Sequence, residues 1–228
     1  MDSSDHSTQK RNGHGPELSP GGQVRGSDGQ LRPPWAASSE LLQEYYDQEW
    51  GRFVITEHGL LERLVLEGFQ SGLSWSTILR KRRVFRSAFF LFDATRIVAM
   101  TDEQKQAALA DEGMIRNRLK HEALHANARA TVALREDPEL QALPADSPAR
   151  TILGGLADRL PAGLPVLLWS FAPAEHQQPG HVEDIPSSSP ESVEMARELR
   201  RRGFRFVGPT TCYALMQAVG MVNDRVPD

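Results

Sequence analysis

Apolar residues recur at helical spacing over most of the chain, whereas the alternating pattern typical of strands is nearly absent. The clearest apolar stripe consists of Leu60, Leu61, Leu64, Val65 and Phe69. Gly72 follows this stripe as a stop signal, and Ser74 can then cap the next helix. The pattern of apolar and polar positions therefore predicts an all-α fold.

A helical hairpin is predicted over about residues 101–134. Thr101 and Gln104 form a capping-box pattern that opens its first helix, and Gly113 ends that helix. After a brief turn, the second helix begins at about Arg116 and continues to the end of this range. Because the connection is so short, the two helices are expected to lie side by side.

Basic residues occupy the opening turns of the second hairpin helix, at Arg116, Arg118 and Lys120. Unpaired backbone amides at a helix N-terminus bind phosphate, and cations there oppose the helix dipole unless an external anion arrives. Further basic clusters at residues 80–86 and 200–205 lie beside predicted turns. Together these clusters indicate a surface that follows a phosphate backbone. A simple hairpin with a solvated basic face explains the hairpin cations equally well.

The remainder of the chain divides into a tail, one helical domain and an insertion. Residues 1–32 are rich in Ser, Gly, Pro, Gln and Asp, a composition that predicts disorder. The helical domain spans residues 33–228. Within it, the Pro- and Ala-rich residues of about 134–165 are expected to form a loop with one short helix, and two later helices begin at Pro190 and Pro209.

Composition and charge exclude several classes of protein. The 26 Lys and Arg against 30 Asp and Glu give a net charge of −4, which excludes a globally basic nucleic-acid coat. A single cysteine, Cys212, supports neither an intramolecular disulfide nor a multi-thiolate metal site. No apolar run reaches the roughly 18–20 residues that span a bilayer, and the N-terminus lacks a hydrophobic signal core. We therefore expect a soluble, cytoplasmic protein with no membrane partner.

Glu67 is the most informative single residue. It follows Leu60 by seven residues, about two helical turns, so that it projects on the apolar side of the predicted helix. A carboxylate on such a stripe is costly unless something pairs with it. It is therefore either a structural glutamate bonded to an amide or an arginine, or an acid aimed into a ligand pocket. Aromatic residues before and after it, including Tyr45 and Trp75, favour the pocket.

The connection over residues 70–75 places Gly72 and Leu73 directly after the Glu67 helix. An exposed leucine beside a glycine is what a wedge inserted between base steps needs. A connection in which Leu73 simply packs against its neighbours is the more common arrangement. Spacing alone is therefore weak evidence for a wedge at this connection.

A metal site has little support in the sequence. His121 and His125 lie four residues apart on one predicted helix face, but the other histidines are remote and no cysteine cluster exists. A metal-dependent hydrolase built on this pair is an unfavoured alternative.

Several motifs follow one another in an order typical of one family. They include Tyr45-Tyr-Asp-Gln-Glu-Trp-Gly51, Leu66-Glu-Gly-Phe-Gln-Ser-Gly-Leu-Ser-Trp75, Gly113-Met-Ile-Arg-Asn-Arg118, Trp169-Ser-Phe171 and Arg202-Gly-Phe-Arg-Phe-Val-Gly-Pro-Thr-Thr-Cys-Tyr213. From about Trp35 to Asp224 the chain resembles the DNA-3-methyladenine glycosylase I family of the helix-hairpin-helix superfamily. The resemblance implies two helical lobes with a base pocket between them.

This resemblance also implies roles for individual residues. Glu67 matches the carboxylate that recognises the base, Tyr45 and Trp75 match aromatic residues that sandwich it, and Trp50 and Trp35 match tryptophans that line its pocket. The DNA-contacting positions are Gly72, Leu73, Gly113, Ile115, Arg116, Arg118 and Lys120.

The implied activity is that of a monofunctional DNA glycosylase that needs no cofactor. Such an enzyme flips an alkylated purine out of double-stranded DNA and hydrolyses its N-glycosidic bond, which leaves an abasic site. It would act as a monomer, in the cytoplasm at the nucleoid. A non-catalytic module that binds damaged DNA on the same fold is the alternative.

The chain departs from typical members at two places. Their termini are joined by a zinc ion, but Pro33, Tyr46 and Arg225 stand at three of its ligand positions and the fourth falls beyond Asp228. We therefore expect no zinc there. A pocket tyrosine is replaced by Leu42, which predicts a larger or less selective pocket that accepts purine adducts bulkier than 3-methyladenine.

Overall fold

The computed structural model describes residues 18–227. In chain order its helices are α1 (Pro34–Ala37), α2 (Glu40–Gln48), α3 (Glu57–Gln70), α4 (Trp75–Ala88), α5 (Ala94–Val98), α6 (Asp102–Ala110), α7 (Arg118–Leu134), α8 (Pro148–Leu153), α9 (Leu164–Trp169), α10 (Pro190–Arg201) and α11 (Pro209–Ala218). Short 3-10 helices cover Phe90–Phe92, Pro138–Leu140, Gly154–Arg159 and Val182–Asp184. Two-residue strands, β1 (Val24–Arg25) and β2 (Leu31–Arg32), pair antiparallel. The prediction of an all-α fold is confirmed.

Helix α3 is the central element of the fold. Every residue from Leu60 to Phe69 is buried, and the helix contacts α4, α7, α9 and α11. A helix that is covered on all sides needs apolar residues around its circumference, which explains why its stripe is so wide. Its central position is what fixes Glu67 relative to the surrounding helices.

Side-chain caps set the helix starts as the sequence predicts. Ser74 accepts a hydrogen bond from Thr77 N at the start of α4, and the capping box of Thr101 and Gln104 opens α6. Helix α6 ends at Ala110 rather than at Gly113, because Asp111 adopts extended backbone angles. The second hairpin helix begins at Arg118, since Asn117 caps it, and Arg116 therefore lies in the turn.

The N-terminal prediction of disorder is wrong for residues 18–32, which form the β1–β2 hairpin. Arg32 is 2% exposed and donates to Asp47 and Asp28, with closest distances of 2.6 Å to each. These charge-assisted hydrogen bonds stabilise a segment that has little apolar area to bury. Residues 1–17, for which disorder is also predicted, lie outside the described residues.

Residues 134–165 contain more helix than predicted. Besides the end of α7 they include two 3-10 helices, α8 and the start of α9. Leu140, Leu143 and Leu153 are buried against the main core. Each of these helices is too short to show a clear helical period of apolar residues, so the sequence pattern does not predict them.

Within residues 18–227, no helix combines the length and the apolar character that crossing a bilayer requires.

Candidate functional site

A cavity of about 670 Å³ is lined by residues of α2, α3, α4 and α11 and by the chain that follows α11. Its wall contains every residue that the sequence places in a base pocket, namely Trp35, Leu42, Tyr45, Trp50, Glu67 and Trp75. The fold thus brings these predicted residues together around one space.

Glu67 lies on the cavity wall near the C-terminal end of α3 and is 8% exposed. Burial raises the pKa of its carboxyl to about 8, and the positive charge of Arg63 opposes this shift. No residue within 18–227 forms a hydrogen bond or ion pair with the Glu67 side chain. Its oxygens are therefore available to a ligand that enters the cavity.

Two other glutamates neutralise the arginines near Glu67. The Arg82 guanidinium donates to Glu62 at 2.5 Å and to Glu49 at 2.7 Å. Arg63 in turn donates to Glu49 at 2.8 Å. The structural role that the sequence allowed for Glu67, pairing with an arginine, belongs instead to Glu62.

Tyr45 and Trp75 stand beside each other on the cavity wall. Their ring centroids are 5.4 Å apart and their planes are tilted by 59°. They therefore touch as a tilted aromatic pair and are not two parallel walls with space for a base between them. The Tyr45 hydroxyl is buried without a hydrogen-bond partner among the described residues, and burial raises its pKa well above the ordinary value.

Further aromatic residues line the cavity next to Tyr45, which lies 6.5 Å from Trp35 between ring centroids. Trp50 stacks on Tyr46 with centroids 5.2 Å apart, and Trp35 packs edge-on against Tyr46 at 5.6 Å. The Arg225 guanidinium carbon lies 4.1 Å from the Tyr46 ring centroid, and Arg225 also donates to the carbonyl of Trp50 at 2.8 Å. From the sequence, Arg225 is singled out only as a residue that replaces a metal ligand. The residues around it carry no local signal for contact with Tyr46 and Trp50, because both partners lie more than 170 residues away.

The connection between α3 and α4 exposes the predicted wedge. Gly72 has a φ of 76°, a conformation that favours glycine, and the adjacent Leu73 is 39% exposed. Lys120 Nζ donates to the carbonyls of Phe69 at 2.7 Å and Ser71 at 2.6 Å. Lys120 is 5% exposed, and burial lowers its pKa. The prediction that Lys120 contacts phosphate is therefore wrong, because this lysine holds the wedge connection from inside.

The hairpin turn presents backbone and cations to solvent. Arg116 and Arg118 are exposed, whereas the side chain of Ile115 is buried. Ile115 can therefore meet DNA only through its backbone, and its predicted DNA contact stays a prediction for the backbone of this turn. Its carbonyl is already within 3.0 Å of His121 Nε2. Gly113 N donates to Asp111 Oδ1 at 2.7 Å, which fixes the start of the turn.

The two other basic clusters only partly face solvent. Arg82 is buried against Glu62, and Arg202 donates to Glu198 and Asp137 at 2.5 Å each. The predicted phosphate-following surface is therefore smaller than the three clusters together. Among the arginines of these clusters, the structure leaves exposed Arg80, Arg83, Arg116, Arg118, Arg200, Arg201 and Arg205.

The histidine pair does not assemble a metal site. Burial lowers the pKa of His125 to about 4 and also lowers that of His121, whose Nε2 bonds to a carbonyl. Residues 18–227 contain no group of three or more His, Cys, Asp or Glu side chains placed to hold a metal ion. The alternative of a metal-dependent hydrolase thus lacks a ligand set in this part of the chain.

Comparison with known proteins decides the family. The family model for methyladenine glycosylase matches residues 35–144 and 159–228. The chain belongs to this family. It is 34% identical to the DNA-3-methyladenine glycosylase of Haemophilus influenzae over 86% of this chain and 95% of that protein. It is 35% identical to DNA-3-methyladenine glycosylase 1 of Escherichia coli K12 over 84% and 91%. A crystal structure of 3-methyladenine DNA glycosylase I superposes with a TM-score of 0.71, at 36% identity, over 85% of this chain and 94% of that one.

As a methyladenine glycosylase, the protein is an enzyme of the N-glycosyl hydrolase class with DNA as its substrate. The unmatched residues 145–158 lie inside the predicted insertion of about 134–165. They include α8, which packs Ala149 and Leu153 into the core. The insertion is therefore part of the folded glycosylase rather than a separate unit.

The zinc ion of typical methyladenine glycosylases does not fit this chain. A guanidinium carries its proton under all ordinary conditions and cannot ligate a metal, and Arg225 instead stacks on the Tyr46 ring. Pro33, at a third ligand position, has no donor side chain. Cation–π and hydrogen-bond contacts engage the Arg225 side chain, which the family resemblance places among the zinc ligands.

Proposed function

We propose that this glycosylase flips an alkylated purine, with 3-methyladenine as the reference lesion, into the cavity beside Glu67 and hydrolyses its N-glycosidic bond. The observation that carries the proposal is Glu67 itself, a buried carboxyl without an internal partner on an aromatic wall. Such a group does not stabilise the fold. It does bind a base that offers hydrogen-bond donors to it.

The chemistry suits a cationic leaving group. Methylation at N3 leaves adenine positively charged and weakens its glycosidic bond, so that departure of the base needs little acid catalysis. Tyr45 and Trp75 supply aromatic faces for the ring, and the Trp75 side chain must rotate from its tilted packing to allow a base between them. Glu67 accepts hydrogen bonds from the base edge and holds the ring as its charge changes.

The charge of Glu67 is coupled to the charge of the base. With a pKa of about 8, Glu67 is largely protonated at neutral pH before the base arrives. A cationic purine beside it favours the carboxylate and so lowers this pKa. Binding of the damaged base therefore releases a proton from Glu67 at neutral pH, whereas a neutral adenine gives no such gain. This difference supports discrimination between damaged and ordinary bases.

The DNA strand stays intact in the proposed reaction. Strand cleavage by a glycosylase needs a free amine beside the sugar, and the two lysines nearest the wedge and the hairpin turn are engaged. Lys120 donates to two carbonyls, and Lys81 Nζ donates to the carbonyl of Gly113 at 2.9 Å. These contacts support hydrolysis without cleavage and an abasic product.

The Leu42 position and the cavity size support activity on bulkier purines as well. Leu42 lines the cavity where the tyrosine of typical members would place a ring and a hydroxyl. The available 670 Å³ exceeds what one methylated purine requires. Adducts with larger N3 substituents are the proposed additional substrates.

A release assay on methylated duplex DNA tests the activity. Wild-type protein should free 3-methyladenine, measured by chromatography, and Glu67→Gln should slow release by roughly a hundredfold because a donor replaces one acceptor oxygen. Glu44→Gln is the matched control, since Glu44 is exposed on α2 beside the same cavity wall. If wild type binds the duplex but leaves every modified base attached, the alternative of a damage-binding module replaces this proposal.

We also infer that the enzyme works as a monomer, in the cytoplasm at the nucleoid. All six residues predicted for the base pocket come together within this chain, so the pocket needs no residue from a second copy, which supports the monomer. The similar glycosylases of Haemophilus influenzae and Escherichia coli are bacterial proteins named for action on DNA, which supports the location. Sedimentation of the protein with and without a short duplex tests the first inference.

A further inference from the structure

Phe206 occupies a backbone conformation that costs free energy. It lies in the loop between α10 and α11 with a φ of 57°, in the left-handed region that bulky side chains avoid. Its side chain is nevertheless 38% exposed, so burial of the ring does not account for the conformation. Strain of this kind is maintained only where surrounding contacts enforce it, and it is frequent at functional sites.

Two contacts enforce the position of Phe206. Asn127 on α7 accepts a hydrogen bond from Arg205 N at 2.7 Å and donates to Arg205 O at 3.2 Å, which fixes the preceding peptide on both sides. On the other side the loop lies against Gly68, where an added Cβ would meet Phe206 Cβ at 3.2 Å. The loop is therefore clamped between α7 and the helix that carries Glu67.

The same face of α7 also holds the wedge. Lys120, which bonds to the carbonyls of Phe69 and Ser71, precedes Asn127 by seven residues, about two helical turns. On α3, Gly68, against which the loop lies, comes two residues before the helix ends at Gln70 and the wedge connection begins. Helix α7 therefore anchors both the connection that carries Leu73 and the loop that carries Phe206, at points about two helical turns apart.

We propose that Phe206 is a second apolar probe that contacts the duplex at the flipped nucleotide and stacks on the base left without its partner. The exposed Arg205 beside it then contacts the backbone of that strand. Leu73 enters the gap from the side of the α3–α4 connection, and Phe206 supports the unpaired base. This inference rests on the proposed base flipping and adds to it a residue that the pocket does not contain. Asn127 acts as its positioning residue.

Binding to a duplex that contains an abasic-site analogue opposite 2-aminopurine tests the proposal without any excision step. Wild-type protein should change the fluorescence of 2-aminopurine as Phe206 stacks on it. Phe206→Gly should remove this change and weaken binding roughly tenfold, the effect typical of one lost aromatic–base stack. Glycine accepts the φ of 57° freely, so the loop keeps its conformation.

Leu91→Gly is the matched control. Leu91 is 67% exposed and has the same φ of 57°, but it lies in the 3-10 helix that follows α4. This variant should bind and report like wild type. Phe206→Gly with unchanged affinity and fluorescence overturns the proposal. A wild-type protein that binds this duplex but frees no 3-methyladenine from methylated duplex DNA in the separate release assay contradicts the proposed function, while the role of Phe206 is still decided by the fluorescence.

Discussion

The Arg225 guanidinium lies over the Tyr46 ring, 4.1 Å from its centroid, and donates to the backbone carbonyls of Tyr46 and Trp50. This contact joins the C-terminal residues to α2. Gln23 Nε2 adds a bond to Val226 O at 3.1 Å, which brings the N-terminal hairpin to the same place. The two ends of the described chain are thus connected by hydrogen bonds and a cation–π contact.

Removing Arg225 should destabilise the fold, whereas removing metal should not. Arg225→Ala loses a stacked cation and two charge-assisted hydrogen bonds, so we expect the free energy of unfolding to fall by about 2 kcal/mol. Arg225→Lys keeps the charge without the planar fork and should recover part of the loss. Denaturant melts of the three proteins with and without a zinc chelator measure both effects. If the chelator lowers the stability of wild type, a metal helps to join the two ends of the chain and this interpretation is wrong.

Glu67 should make the protein less stable as the pH rises. Its folded-state pKa of about 8 exceeds the ordinary value of 4.5, so the folded state binds more protons than the unfolded state between these values. The stabilising effect of the proton is complete at low pH, declines from about pH 4.5 and is lost above pH 8. At pH 8.5 we therefore expect Glu67→Gln to be more stable than wild type by roughly 4–5 kcal/mol.

Urea melts at pH 4.5 and pH 8.5 separate this effect from general acid or base sensitivity. The difference between wild type and Glu67→Gln should be small at the lower pH and large at the higher one. Glu44→Gln, an exposed change on α2, should follow wild type at both. Equal stability of wild type and Glu67→Gln at pH 8.5 would show that the carboxyl has a partner in solution.

Lys120 and Arg118 should differ in what their removal changes. Lys120→Met leaves two carbonyls of the wedge connection without their donor, and we expect a stability loss of about 2 kcal/mol. Because Lys120 does not reach phosphate, the salt dependence of duplex binding should keep its slope. Arg118→Ala removes an exposed cation, so stability should stay constant while the slope of log K against log salt falls by about 1. If instead Lys120→Met lowers the slope and Arg118→Ala leaves it unchanged, Lys120 is a phosphate contact after all.

Local signals explain what the sequence predicts correctly. The stripe ending at Phe69, the cap at Ser74 and the capping box at Thr101 each depend on residues within one or two turns, and all three are present in the structure. The cavity residues could be grouped because their motifs follow a family order. Glu67 stood out because a carboxylate on an apolar stripe is physically unusual.

Partners distant in sequence explain the failures. Arg82 is buried by Glu62, which lies 20 residues away, and Lys120 turns inward towards carbonyls about 50 residues away. No periodicity encodes such pairs. The N-terminal hairpin was missed although Asp28-Gly29, a turn signal, separates its two strands. The low hydrophobicity of this segment predicts disorder. The hairpin forms nevertheless, because the Arg32 side chain is buried and paired with carboxylates.

Leu42 should control how large a substituent the enzyme accepts. Leu42→Tyr places a ring and a hydroxyl on the cavity wall and reduces the space beside Glu67. We expect kcat/KM for purines with a bulky N3 substituent to fall roughly tenfold, while that for 3-methyladenine is maintained or rises. Leu41→Tyr is the matched control, because the neighbouring Leu41 is partly exposed and does not line the cavity. Competition between duplexes with either lesion gives the ratio directly. If wild type already rejects the bulky purine and Leu42→Tyr changes neither rate, the enlarged pocket has no part in substrate choice.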